Sequence, residues 1–284
     1  MLQSISPPLI CASSTQPHLT VGLIQFGYYA YFSVGTWLFD LRQDISSSGR
    51  SHSFFGIDIS KERFPSSPPK DVTFHVQDIT ATWPESWAET FDLVHQRLGL
   101  AGTGAKTEEI VQNLLKLVKP GGWVQLIEAE QMVADDDGPA MHQMNGLILD
   151  VFGGLGTDIQ FPRKMKGWIE EAGFINTGTM LAPSCIGAKV PNPALRGRSV
   201  ESVVVAMTGL VGFAKSRLCL VWRCYDVSSL CQQQNANVLY AAFPNGLKCM
   251  SAEELATFVP RFKTEMEKQG GYYPMRIVWG QKPL

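Results

Sequence analysis

The stretch from Phe91 to Glu128 constrains the fold more than any other part of the chain. Phe91-Asp92-Leu93-Val94-His95 is a short apolar run entered from a polar turn, as expected of a buried parallel strand. From Thr107 to Lys119 the residues Ile110, Leu114 and Leu117 recur with helical spacing, as do Val111, Leu115 and Val118. That gives a helix one wide face to bury. Glu108 and Glu109 in the first turn and Lys116 and Lys119 near the end match the helix dipole. Pro120-Gly121-Gly122 is expected to stop the helix, and Trp123 to Ile127 is the next strand, closing on Glu128. A strand-helix-strand unit with short connections implies parallel pairing through a right-handed crossover. The chain is therefore expected to be α/β.

Upstream, Phe54-Phe55-Gly56-Ile57-Asp58 and the alternating Val72-Thr73-Phe74-His75-Val76 read as two further strands. Asp58 and Asp78 lie at their ends, and Pro65, Pro68 and Pro69 make the segment between them a loop. An ionised carboxylate offers only acceptors, which suits a pair of ribose hydroxyls. Asp58 also follows Gly35 at about the 20-residue spacing of a nucleotide-binding βαβ unit. The competing reading is that Asp58 caps the next turn. His95-Gln96-Arg97 come off the carboxyl end of the next strand, where open α/β sheets place their ligands. His95 and Arg97 could touch a cofactor or a substrate acid group there; equally, His95 could pack under the loop while Arg97 pairs with a surface carboxylate. His75, in mid-strand, is read as structural.

Taken in order, FFGIDIS, VTFHVQDIT, FDLVHQRL and KPGGWVQLIE resemble the class I S-adenosylmethionine methyltransferases. Within them the likeness is to the fungal secondary-metabolism branch, the LaeA/UMTA type. It covers roughly residues 34–128, a patch at 161–174 and the last thirty or so residues. The resemblance implies a Rossmann-like sheet, mostly parallel with an antiparallel last strand, and helices on both faces. It implies S-adenosyl-L-methionine as cofactor and an O, N or S atom of a small-molecule acceptor as the target. By the same resemblance Asp58 accepts from the ribose, Asp78 accepts from the adenine amino group and Ile79 packs on the ring. Gly35 and Thr36 belong to the turn beside the methionine end, and Gln96 and Arg97 are further candidates for cofactor contact. Methyl transfer needs mainly alignment, and a base only where the acceptor is protonated; His95 and His142 are the candidates for that base.

The pattern departs from the family at the glycine-rich turn. In the family the first strand ends in an acid followed by several glycines; here Ser33-Val34-Gly35-Thr36 runs straight into Trp37-Leu38-Phe39-Asp40-Leu41. Ser33 stands where the acid is expected, and the later glycines are missing. The alternative is therefore a methyltransferase fold impaired in catalysis, an inactive partner or a pericyclase-like relative. A nicotinamide dehydrogenase would share Asp58, but the chain has no G-x-G-x-x-G and no Tyr-x-x-x-Lys pair.

A net charge of −2 leaves no basic stripe for nucleic acid. The 6 cysteines form neither a CxxC pair nor a zinc spacing, as expected of free thiols in a reducing cytoplasm, and no metal site is expected. No charged residue precedes Asp40, so a secretory leader with a basic start is not expected. Leu19 to Phe39 is long enough on paper to span a bilayer, but it carries Gln25, Ser33 and several tyrosines and glycines, so a membrane span is not expected. Asp135-Asp136-Asp137-Gly138 lacks the rest of a calcium loop and reads as a solvated turn.

The chain divides into an atypical segment, 1–32, and a methyltransferase-like domain, 33–284. Residues 135–172 are expected to cap the substrate. They include a helix from Met141 to Phe152, on which Met141, His142 and Met144 could line a pocket, and a stripe of Met165, Trp168 and Ile169 closed by Gly173. The tract 217–248, with QQQNAN and no sustained periodicity, is foreign to the pattern; it is either unspliced sequence carried into the chain or a lid insertion. Ser251 and Glu254 then form a capping box, and Leu255, Phe258, Val259, Phe262 and Met266 a buried helix face ended by Gly270-Gly271. Tyr272 to Trp279 is the expected last strand.

Overall fold

A computed structural model describes residues 18–25, 36–46, 51–223 and 247–284. Its centre is a seven-stranded sheet in the order β3-β2-β1-β4-β5-β9-β6. The strands are β1 (His18–Gln25), β2 (Ser51–Asp58), β3 (Val72–Val76), β4 (Phe91–Arg97), β5 (Val118–Ala129), β6 (Ile175–Ala182) and β9 (Met275–Gln281). β1 through β5 pair in parallel, and β9 runs antiparallel to both β5 and β6. From β1 the chain moves outward to β2 and β3, then returns to β4 on the other side of β1. The strand order reverses there, and such a switch point opens a crevice at the carboxyl ends of the strands. Two-residue strands β7 (Cys185–Ile186) and β8 (Gly271–Tyr272) pair separately.

Helices cover both faces. α1 (Thr36–Ser46) lays Leu38, Leu41 and Ile45 against Val21, Phe54 and Val72. On the opposite face α2 (Thr107–Leu115) and α4 (Phe161–Glu171) bury Ile110, Leu114, Met165 and Ile169 with Val94 and Val124. Leu93 packs with the first group and Val94 with the second, as the two-residue period of a strand requires. A third cluster joins α3 (Pro139–Gly154), α5 (Pro193–Arg223) and α6 (Ala252–Lys268) through Met141, Leu147, Met207, Leu210, Phe258 and Phe262. Ala101 and Tyr273 connect it to the loop after β4 and the start of β9.

Several expectations hold locally. Ser251 and Glu254 form the capping box of α6, and α3 spans the helix expected over Met141–Phe152. Gly173, at φ 84°, follows α4 as its stop. Others need correction. The first strand is His18–Gln25, not a run ending at Ser33, so the sheet's central strand lies inside the segment set apart as atypical. Gln25, not Ser33, closes it. Gly22 is required there: an added Cβ would lie 2.9 Å from the Phe91 ring. Within the Leu19–Phe39 run, the described residues belong to β1 up to Gln25 and to α1 from Thr36. α2 ends at Leu115, and Pro120-Gly121-Gly122 falls inside β5 at a register shift against β4. Of the described helices, Pro193–Lys215 is long and apolar enough to cross a membrane by length and composition, and its Val200, Met207, Leu210 and Val211 are buried in the third cluster. Most of the 217–248 tract lies outside the described residues.

Candidate active site

The carboxyl edge of the parallel strands gathers the expected acids. Asp58, the last residue of β2, is 1% exposed, and its Oδ1 accepts the Ser60 amide at 2.9 Å. The Gln77 amide donates to the Asp58 carbonyl at 3.0 Å, fastening the end of β3 to the end of β2. Asp78 follows at once. Its Oδ1 accepts from both the amide and the hydroxyl of Thr80, each at 2.8 Å, which fixes the carboxylate in a tight turn. Each acid therefore does stabilise a local turn. Ile79, expected on a ring face, is 3% exposed and packs in the core with Trp83.

The next part of the edge is the start of α1. Gly35 and Ser33 lie outside the described residues, and Thr36 is the first residue of α1. Trp37 stacks on His95 with ring centroids 3.7 Å apart and 6° between planes. His95 has no exposed surface, and its Nδ1–H donates to Gln125 Oε1 at 2.8 Å. Burial pulls its pKa down to about 3, so the ring is neutral. Sealed beneath α1, His95 cannot reach a substrate proton, which corrects its assignment as a base. His142 is exposed on α3 and does not line the cavity described below.

β4 ends by sending side chains to opposite faces. Gln96 is fully buried and its Nε2 donates to Glu128 Oε1 at 2.8 Å, so it orients an acid rather than contacting a cofactor. Arg97, on the other face, is half-buried, and burial lowers its pKa. No carboxylate among the described residues pairs with it.

Glu128, the penultimate residue of β5, is 2% exposed. Its Oε1 also accepts the amides of Gly99 at 2.9 Å and Leu100 at 2.8 Å. Burial outweighs these donors and raises its pKa to about 7. It lines a cavity of about 30 Å³ together with Gly99, Gln131, Ile148, Phe152, Phe161 and Tyr273. Burial, with the Glu128 charge nearby, pushes the Tyr273 phenol up to about 12. Sequence reasoning passed over Glu128 as a strand end. Its signal was an acid closing the strand beside His95-Gln96-Arg97.

No family model matches the chain. Individual proteins do. The N-methyltransferase sirN of Leptosphaeria maculans is 34% identical over 231 residues, 80% of this chain and 72% of that protein. The methyltransferase psoC of Aspergillus fumigatus is 29% identical over 249 residues, covering 87% of this chain and 79% of its own. The N-methyltransferase gliN of Aspergillus fumigatus is 27% identical over 255 residues, 88% of this chain and 79% of that one.

Proposed function

Because the chain belongs to the class I S-adenosylmethionine methyltransferases of secondary metabolism, we propose that it methylates a nitrogen atom of a small metabolite. Two of the three relatives above carry N-methyltransferase in their names, which favours nitrogen over oxygen or sulfur. The LaeA/UMTA assignment rests on the motif order alone. The observation that carries the reading is the pair formed by Asp58 at the end of β2 and Asp78 just beyond the end of the neighbouring β3, on one side of the switch point.

The residues present fit the adenosine half of S-adenosyl-L-methionine. Asp58, held by the Ser60 amide, would accept from the ribose, and Asp78, held by Thr80, from the adenine amino group. Arg97, without a carboxylate partner at the end of β4, is suited to the methionine carboxylate. When bound, the cofactor supplies a methyl group on a positively charged sulfur. The protein's own part is to hold the acceptor in line with that methyl and to keep water away.

A second reading, the fold without transfer, is favoured by Gln25 closing β1 where the family has an acid. Calorimetry with S-adenosyl-L-methionine, followed by transfer of a labelled methyl group to a panel of amines, separates the two. Binding with transfer to an amine supports the first. Binding without transfer to any acceptor supports the second, and no binding at millimolar cofactor sinks the first and leaves the second.

A further inference from the structure

We infer that the cavity at the carboxyl ends of β4 and β5 receives the acceptor's amino group, and that Glu128 Oε2 binds it and takes one of its protons. This rests on the methyltransferase reading above and adds the acceptor's chemical class to it: a primary or secondary amine, cationic in water, on an apolar body.

The carboxylate is built to be half used. Gln96 Nε2 and the amides of Gly99 and Leu100 all converge on Oε1, within 2.8–2.9 Å. Oε2 makes no hydrogen bond among the described residues, while Glu128 itself lines the cavity. No cationic side chain among the described residues pairs with Glu128. Burying an acid without a cation is costly, and such an arrangement in a cleft marks a site where a ligand supplies the missing charge. The other walls suit an apolar body. Ile148 and Phe152 come from α3, Phe161 from α4 and Ala129 from β5, and Tyr273 is the other titratable group on the lining. A volume of about 30 Å³ is enough to hold a group the size of a water molecule. It admits an amino group, and the rest of the molecule must lie at the mouth or part the walls. The cavity opens on the same edge of the sheet as Asp58 and Asp78.

The proton count closes. The ammonium passes one proton to the Glu128 carboxylate, which frees the nitrogen lone pair. That pair forms the new bond to the methyl carbon while the methyl–sulfur bond breaks with its electrons left on sulfur. The product is a methylated ammonium, a neutral thioether and a protonated Glu128, which later releases its proton to water.

Benzylamine is the probe, with benzyl alcohol as its uncharged counterpart, titrated into the full chain by calorimetry with S-adenosylhomocysteine present. The unsubstituted protein is expected to bind benzylamine about ten-fold or more tighter than the alcohol. That preference grows about ten-fold from about pH 6 to about pH 8 as Glu128 ionises. Glu128→Gln keeps an acceptor for the three donors and is expected to lose both the preference and its pH dependence. Ile148→Trp, which fills the cavity and leaves the carboxylate intact, is expected to abolish binding of both probes. Equal affinity for the two probes, no saturable benzylamine binding, or a preference that survives Glu128→Gln overturns the inference. Binding of S-adenosylhomocysteine is scored separately. Its presence without amine selectivity sinks this inference alone, whereas its absence sinks the methyltransferase reading as well.

Discussion

Trp37, in the first turn of α1, lies flat on His95 of β4 at 3.7 Å, clamping the helix to the middle of the sheet. The imidazole under it has its pKa lowered to about 3 by burial. An unfolded histidine takes a proton near pH 6.5 while this one does not, so stability is lost as pH falls from about 6.5 toward 3. The expected loss is about 2 kcal/mol by about pH 5. The paired change His95→Phe with Gln125→Leu keeps a ring beneath Trp37 and leaves neither partner unsatisfied. Denaturant titrations across that window are expected to show a much shallower decline in the paired variant; an equal decline would place the acid sensitivity elsewhere.

Asp58→Asn retains an oxygen for the Ser60 amide and removes the charge. Loss of charge-assisted bonds to two ribose hydroxyls is expected to weaken S-adenosylhomocysteine roughly 10–100-fold by calorimetry. Asp78 is half-exposed, and Asp78→Asn is expected to cost only a few-fold. Unchanged affinity in the Asp58 variant would mean that the acid serves its turn alone.

Glu128 sets stability against function. Its pKa, raised to about 7 by burial, means that the folded state binds this proton more tightly than the unfolded chain does. Its share of stability is fully present below about pH 4.5 and lost as pH rises through about 7. Glu128→Gln is therefore expected to be more stable than the unsubstituted protein by about 3 kcal/mol at about pH 8 and to show little difference at about pH 4.5. Thermal melts at the two pH values test this. A variant that is less stable at the higher pH contradicts it.

Glu265 of α6 supplies the cap that α3 lacks. Gly138 makes no side-chain cap, and the amides of Ala140 and Met141 instead donate to the two Glu265 oxygens at 2.8 and 2.9 Å. Removing both bonds and the favourable charge at the helix start with Glu265→Ala is expected to cost about 1–2 kcal/mol. Melting temperature should fall by several degrees, and hydrogen exchange should speed up in the first turn of α3 before it does elsewhere.

Asp58 and Asp78 were legible because each lies at or just beyond the end of a strand bounded by polar or proline-rich segments. β1 was not. Val21 and Gly22 are both buried, so the two-residue alternation is erased, and no charged residue flanks the strand. α2 was read too long because Leu117 and Val118 continue its helical spacing, yet they are buried as the turn into β5 and its first residue. His95 was misjudged because its fate depends on Trp37, a neighbour in space but distant in sequence. Glu128 escaped notice for a similar reason: what distinguishes it is the convergence of Gln96, Gly99 and Leu100 on one oxygen. Composition cannot show that.

β9 threads between β5 and β6, although both of those strands precede it in the chain. During synthesis the ribosome must deliver residues 275–281 before either neighbour has its partner on that side. Until then two bare edges face one another across an empty slot, the kind of template that recruits stray strands from other nascent chains. A premature stop that removed only this strand would leave the nucleotide crevice written in full and the protein prone to aggregate.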